Sequence, residues 1–155
     1  MLYLFKIIHY IIGFESEWAH HILGNIMKIN SFDCDGVITL GIYPGPNDVI
    51  ITGRSYEEEE ETIAYLRSRG IMNEVIFNPL KFDEKSRESS GIHKANTINC
   101  LYEQGICVKF HFEDDPIQIN AMKPHLKNPV KIIRIDHDNE IFMENCRHED
   151  HLLEN

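Results

Sequence analysis

The sequence predicts an α/β sandwich, in which a mostly parallel sheet carries helices on both faces. Three observations point there. Short β-branched runs such as Val49-Ile50-Ile51 and Val75-Ile76-Phe77 read as buried strands. Longer stretches with helical apolar spacing stand between them, closed by Gly70 and Gly105. A chain of 155 residues, 43% hydrophobic and 26% charged, has the size of one domain and gives no support to disorder, collagen or coiled coil.

The elements follow in order. Residues 28–33 form a first strand that ends on acidic groups, and residues 36–46 form a loop or small hairpin punctuated by Gly36, Gly41, Pro44, Gly45 and Pro46. Val49-Ile50-Ile51 is the second strand, after which Thr52-Gly53-Arg54 turns the chain. Ser55 and Glu58 have capping-box spacing, and the acidic run Glu57 to Glu61 suits a helix N-terminus. Val75 to Phe77 is the third strand, closed by Asn78-Pro79, and residues 80–91 are a polar connection with room for a helical turn. Ile92, Ala95, Ile98, Leu101 and Tyr102 set a helix over 92–104. Ile106 to Phe112 is a strand, Pro116 opens a helix to about residue 123, and Val130 to Ile135 is a further strand. A turn at Asp138-Asn139 precedes Ile141-Phe142-Met143.

The two ends differ from this body. Leu2 to Phe14 is apolar but shorter than the roughly 20 residues of a membrane-spanning helix, and it lacks the marks of a signal peptide. It reads as a packed N-terminal helix, as an appendage ahead of a core starting at Met27, or as an interfacial anchor. The organisation is therefore an N-terminal extension at 1–26, a central domain at 27–136 and a C-terminal extension at 137–155.

A formal charge of −10 disfavours stable binding to nucleic acid or to an anionic membrane. Cys34, Cys100, Cys107 and Cys146 are too dispersed for a disulfide scaffold, so a reducing, cytoplasmic location is expected. His20-His21 and the set Cys146, His148 and His151 do not have the spacing of a structural zinc site.

Ligands of parallel α/β sheets bind beyond the carboxyl ends of the strands. There the sequence places Asp33, Asp35, Thr52, Arg54, Glu113, Asp114 and Asp115, with Lys94 expected in the first turn of a helix. Carboxylates from two strands suit Mg²⁺, which takes oxygen ligands and shares them with substrate phosphate. One carboxylate can attack phosphorus, while Thr52 and Lys94 hold the equatorial oxygens.

At these residues the chain resembles the haloacid dehalogenase superfamily. Asp33-Cys34-Asp35-Gly36-Val37 is similar to its first motif, Thr52-Gly53-Arg54 to its second, Lys94 to its third and Phe112-Glu113-Asp114-Asp115 to its acidic fourth. The resemblance spans residues 27–136 and implies a three-layer Rossmann-like sandwich. It implies Asp33 as nucleophile and Asp35 as general acid and base, with Thr52 and Lys94 binding the phosphoryl group and Gly53 and Arg54 binding substrate. Mg²⁺ would be held by Asp33, by Asp35 through its backbone carbonyl, and by Asp114 and Asp115, with Asp115 as ligand or outer partner. Asp35 favours phosphate-ester hydrolysis, because dehalogenases of the superfamily lack an aspartate there. Only residues 36–51 separate Asp35 from Thr52, and only 95–113 separate Lys94 from Asp114, so no cap domain is expected. The implied activity is a magnesium-dependent phosphomonoester hydrolase acting on a nucleotide or another small phosphomonoester. Its alternatives are a polynucleotide 3′-phosphatase and a non-enzymatic phosphate-binding or regulatory protein. An open site could also be closed by a homo-oligomer partner or by the extra N-terminal segment. Arg54 reads equally as a salt bridge to Glu57 or Glu58, Tyr43 and Tyr56 as base-stacking or packing groups, and His93 has no assigned role.

Overall fold

The computed structural model describes residues 26–137. Five strands alternate with three helices: β1 (Met27–Phe32), β2 (Val49–Ser55), α1 (Glu59–Ser68), β3 (Val75–Asn78), α2 (Arg87–Glu103), β4 (Ile106–Glu113), α3 (Pro116–Met122) and β5 (Lys131–Arg134). All strand pairs are parallel, in the order β3-β2-β1-β4-β5. The chain adds strands outward from β1 to one side and then crosses to the other. That reversal places a crevice beyond the carboxyl ends of β1 and β4, where the acidic residues lie.

Alternating residues of the strands divide the core in two. Val49 and Ile51 join Ile29, Val108, and Ala95, Ile98 and Leu101 of α2, with Met122 of α3. Ile50 and Phe32 face the other way, toward Leu66 of α1 and Val37 and Ile38 of the turn after β1. This is the three-layer, Rossmann-like layout expected from the alternation of elements. No described helix is long and apolar enough to cross a membrane.

Two boundaries differ from the sequence reading. Thr52-Gly53-Arg54 does not turn the chain, since β2 continues to Ser55, which pairs with Asn78 of β3 after a register shift. The turn comes one residue later, where the Ser55 N–H donates to Glu58 Oε2 at 2.8 Å in the expected capping box. Of the loop or small hairpin expected over residues 36–46, the loop is what forms, with a 3₁₀ turn at Ile38–Leu40.

The second difference bears on the site. Helix α2 starts at Arg87 rather than Ile92, because the Ser86 side chain accepts from the Ser89 N–H and caps it. Lys94 therefore stands in the helix interior and not in its first turn. Apolar periodicity missed the opening turns because small residues make the contact there: a Cβ on Gly91 would lie 2.5 Å from the Gln118 carbonyl oxygen of α3. The expected turn at 138–139, the run at 141–143 and both terminal extensions fall outside the described residues.

Candidate active site

Asp33 follows β1 directly and is tied to the sheet by its N–H, which donates to the Phe112 carbonyl at 3.0 Å. Its carboxylate, 4% exposed as a residue, lies 2.9 Å from Lys94 Nζ. Lys94 comes from the buried face of α2 and is fully enclosed. It also donates to Glu113 Oε2, the last residue of β4, at 2.5 Å. Two carboxylates thus share one ammonium in the interior. Burial acts to lower the Lys94 ammonium, but Asp33 and Glu113 more than reverse this and raise it, so Lys94 is charged.

The two carboxylates are not equivalent. Burial pushes Asp33 up to about 8, against the pull of Lys94 and with Glu113 adding to the rise. Burial also acts to raise Glu113, but Lys94 and His111 hold it below the usual carboxylate range. Glu113 Oε1 accepts from the Asp114 and Asp115 N–H groups, each at 3.2 Å. His111 Nε2 lies 3.5 Å from its other oxygen, and Ser31 Oγ is 2.8 Å from His111 Nδ1. Glu113 is thereby the fixed anion that holds Lys94 against Asp33.

Carboxylate oxygens of Asp33, Glu113 and Asp114 lie within 4.8 Å of one another, the one such group among the described residues. An all-oxygen set of this kind suits a hard divalent cation. Since Glu113 is already committed to Lys94 and two N–H groups, Asp33 and Asp114 are the carboxylates placed to hold one. Gly36 makes room for Asp114: it sits at φ 75°, and a Cβ there would fall 2.1 Å from Asp114 Oδ2. On its far side Asp114 Oδ2 is 3.0 Å from His137 Nε2.

The other predicted ligands have different partners. Asp35 is gripped by Arg54, whose Nε and Nη2 donate to its two oxygens at 2.8 and 2.7 Å. Those hydrogen bonds hold the Asp35 carboxyl below its ordinary value. The Arg54 pairing is thus with Asp35, not with Glu57 or Glu58, and Arg54 Nη1 is braced on Thr62 Oγ1 of α1 at 3.0 Å. Asp115 caps α3 by accepting from the Ile117 N–H at 2.9 Å, and Arg87 grips both its oxygens at 2.7 and 2.6 Å. The Asp115 carboxylate does not join the Asp33, Glu113 and Asp114 group, and the Asp35 carboxylate also stands apart from it, the resemblance having assigned Asp35 to the metal through its backbone carbonyl.

Thr52 is fully buried near the end of β2, with its Oγ accepting from the Arg54 N–H at 3.1 Å. Gly53 follows, its carbonyl accepting from Lys85 Nζ at 3.2 Å and a Cβ there meeting Ser90 at 3.1 Å. Cys34 packs into the core beneath Asp35. The structure therefore links Asp33 to Lys94, Asp35 to Arg54 and Gly36 to Asp114 across the ends of β1, β2 and β4. Glu113 was placed at a strand end from sequence but not as the anchor of Lys94, and His111 behind it was not singled out. The signal available was the alternation of β4, which sends His111 and Glu113 to the α2 side together.

Comparison with protein-family models, curated proteins and solved structures finds no match to this chain. Functional inference accordingly rests on the residues and their geometry.

Proposed function

We propose that the protein is a Mg²⁺-dependent phosphomonoester hydrolase of the haloacid dehalogenase type, acting through an aspartyl-phosphate on a nucleotide or another small phosphomonoester. The observation that supports this most is the buried Asp33 carboxylate held 2.9 Å from Lys94 Nζ, beside Asp114, at the carboxyl end of the central strand. A carboxylate in that position has no packing purpose that an apolar residue would not serve better.

In this reading an Asp33 oxygen forms a bond to phosphorus as the bond from phosphorus to the ester oxygen breaks. Asp35, released from Arg54 and protonated from solvent as substrate enters, gives that proton to the departing oxygen. A water then attacks the phosphorus of the aspartyl-phosphate and passes its proton to Asp35, and inorganic phosphate leaves with Asp33 restored. Lys94 stabilises the phosphoryl oxygens as charge shifts onto them, and the Thr52 hydroxyl donates to one. Asp33 and Asp114 would hold Mg²⁺, which offsets the charge of the phosphoryl group when bound.

Purified full-length protein should release phosphate from a generic aryl phosphate with Mg²⁺ present and stop when a chelator is added. A panel of nucleoside 5′- and 3′-monophosphates, a 3′-phosphorylated oligonucleotide, sugar phosphates and a phosphopeptide assigns the substrate class. Preference for the oligonucleotide would favour a polynucleotide 3′-phosphatase. No hydrolysis of any member would contradict the enzymatic reading.

A further inference from the structure

The two edges of the sheet are built differently. Isolated edge strands normally carry charges that discourage pairing with another chain. The β5 edge, Lys131–Arg134, begins and ends on an exposed cation. The β3 edge, Val75–Asn78, reads Val-Ile-Phe-Asn and carries no charge. Apolar side chains flank it on both sides in sequence, with Met72 71% exposed before it and Leu80 36% and Phe82 63% exposed after it. Between β3 and α2 opens a cavity of about 570 Å³, lined by Ile76, Leu80, Ile92, Asn96 and Cys100 among others.

We infer that this edge is a dimer interface, on which β3 of a second copy pairs antiparallel with β3 about a two-fold axis at Ile76. Parallel pairing to β2 uses the Glu74 carbonyl, which accepts from the Ile50 N–H at 2.9 Å. Backbone groups alternate in direction along a strand, so those of Val75 and Phe77 point to the open side. A two-fold at Ile76 sets Val75 opposite the second copy's Phe77, joining two residues whose backbone groups both face outward. The same register brings Met72 against the second copy's Leu80, and Glu74 against its Asn78 rather than against another glutamate. An isologous interface must be self-complementary in this way.

Charge on the neighbouring helix agrees. Helix α1 begins with Glu59, Glu60 and Glu61 and ends with Arg67 in its last turn. It runs opposite to β3, and the two-fold reverses it in the second copy, so the acidic start of each would lie toward the same end as the other copy's Arg67, which in its own chain donates to the Ile71 carbonyl at 2.6 Å. The β5 edge offers no such match, since lysine and arginine line it.

Sedimentation velocity on the full chain tests this, with thermal melts on each variant. The native protein should be a dimer at micromolar concentration. Met72→Lys with Leu80→Lys sets like charges opposite each other and should weaken dimerisation by about a hundredfold or more, with little change in the monomer's melt. If Leu80→Lys lowers the melt, Met72→Lys alone serves, at the more exposed position. Met72→Lys combined with Leu80→Glu should restore the dimer, because the introduced charges then pair across the axis. A chain that is monomeric at tens of micromolar, or a dimer that the lysine variants leave intact, overturns the proposal. A monomer whose β3 amides exchange slowly overturns it too, by placing another part of the same chain on that edge.

Discussion

Three side chains hold the centre of the site: Asp33, Lys94 and Glu113, two carboxyl groups sharing one buried ammonium. Asp33→Asn leaves Lys94 paired with Glu113, so phosphatase activity should fall by about a thousandfold or more while the melt stays near that of the native protein. Glu113→Gln should behave differently. Its amide must turn an NH₂ either toward Lys94 or toward the N–H groups of Asp114 and Asp115, setting donor against donor at a cost of about 1–3 kcal/mol in denaturant unfolding. His93 supplies a pH dependence of stability. Burial, with the charge of Lys94, holds its imidazole down to about 4 from an ordinary 6.5. The unfolded chain therefore binds its proton more readily, and the stability it contributes is intact above pH 6.5 and lost as pH falls toward 4. Melts across that window should fall less steeply in His93→Gln than in the native chain. At this scale Asp33, Asp35, Lys94 and Asp114 were legible in the sequence, because strand ends and motif spacing expose them. Glu113 was not, since its importance lies in what it touches across 19 residues of chain.

The elements show where patterning succeeds and where it does not. Strands rich in Val, Ile and Phe were located to within a few residues, and Gly70 and Gly105, both at positive φ, mark where the first two helices stop. Helix α2 was read five residues late because its first turns pack through Ser90 and Gly91, which carry no apolar signal. Helical interiors usually lose stability through glycine, yet Gly91→Ala here should destabilise, by about 1–3 kcal/mol, because its Cβ meets the Gln118 carbonyl of α3. Equilibrium unfolding of that variant checks the point, with stabilisation as the contrary result. Ser86→Ala removes the α2 cap and should cost about 1 kcal/mol in the same measurement. The helix carries Lys94, so both variants also report how firmly α2 fixes the cation in the site.

For the whole molecule, β1 stands at the middle of the described all-parallel sheet, and its carboxyl end is where Asp33, Glu113 and Asp114 converge. The fold class was legible because strand and helix patterns alternate cleanly. The pairing of Asp35 with Arg54 and of Asp115 with Arg87 was not, because side-chain partners are set by the tertiary approach of loops. The central claim is that Asp33 becomes covalently phosphorylated, and acid-quenched mass spectrometry of Asp35→Asn tests it most directly. The substrate should be an aryl phosphate whose leaving group needs no proton, so that attack proceeds while hydrolysis of the intermediate is slowed. Incubated with it and Mg²⁺, the variant should gain the mass of one phosphoryl group, on the peptide bearing Asp33 and sensitive to hydroxylamine, and the gain should vanish when Asp33→Asn is added. Phosphate release without any phosphorylated protein, or a phosphoryl group carried on a different residue, would contradict it.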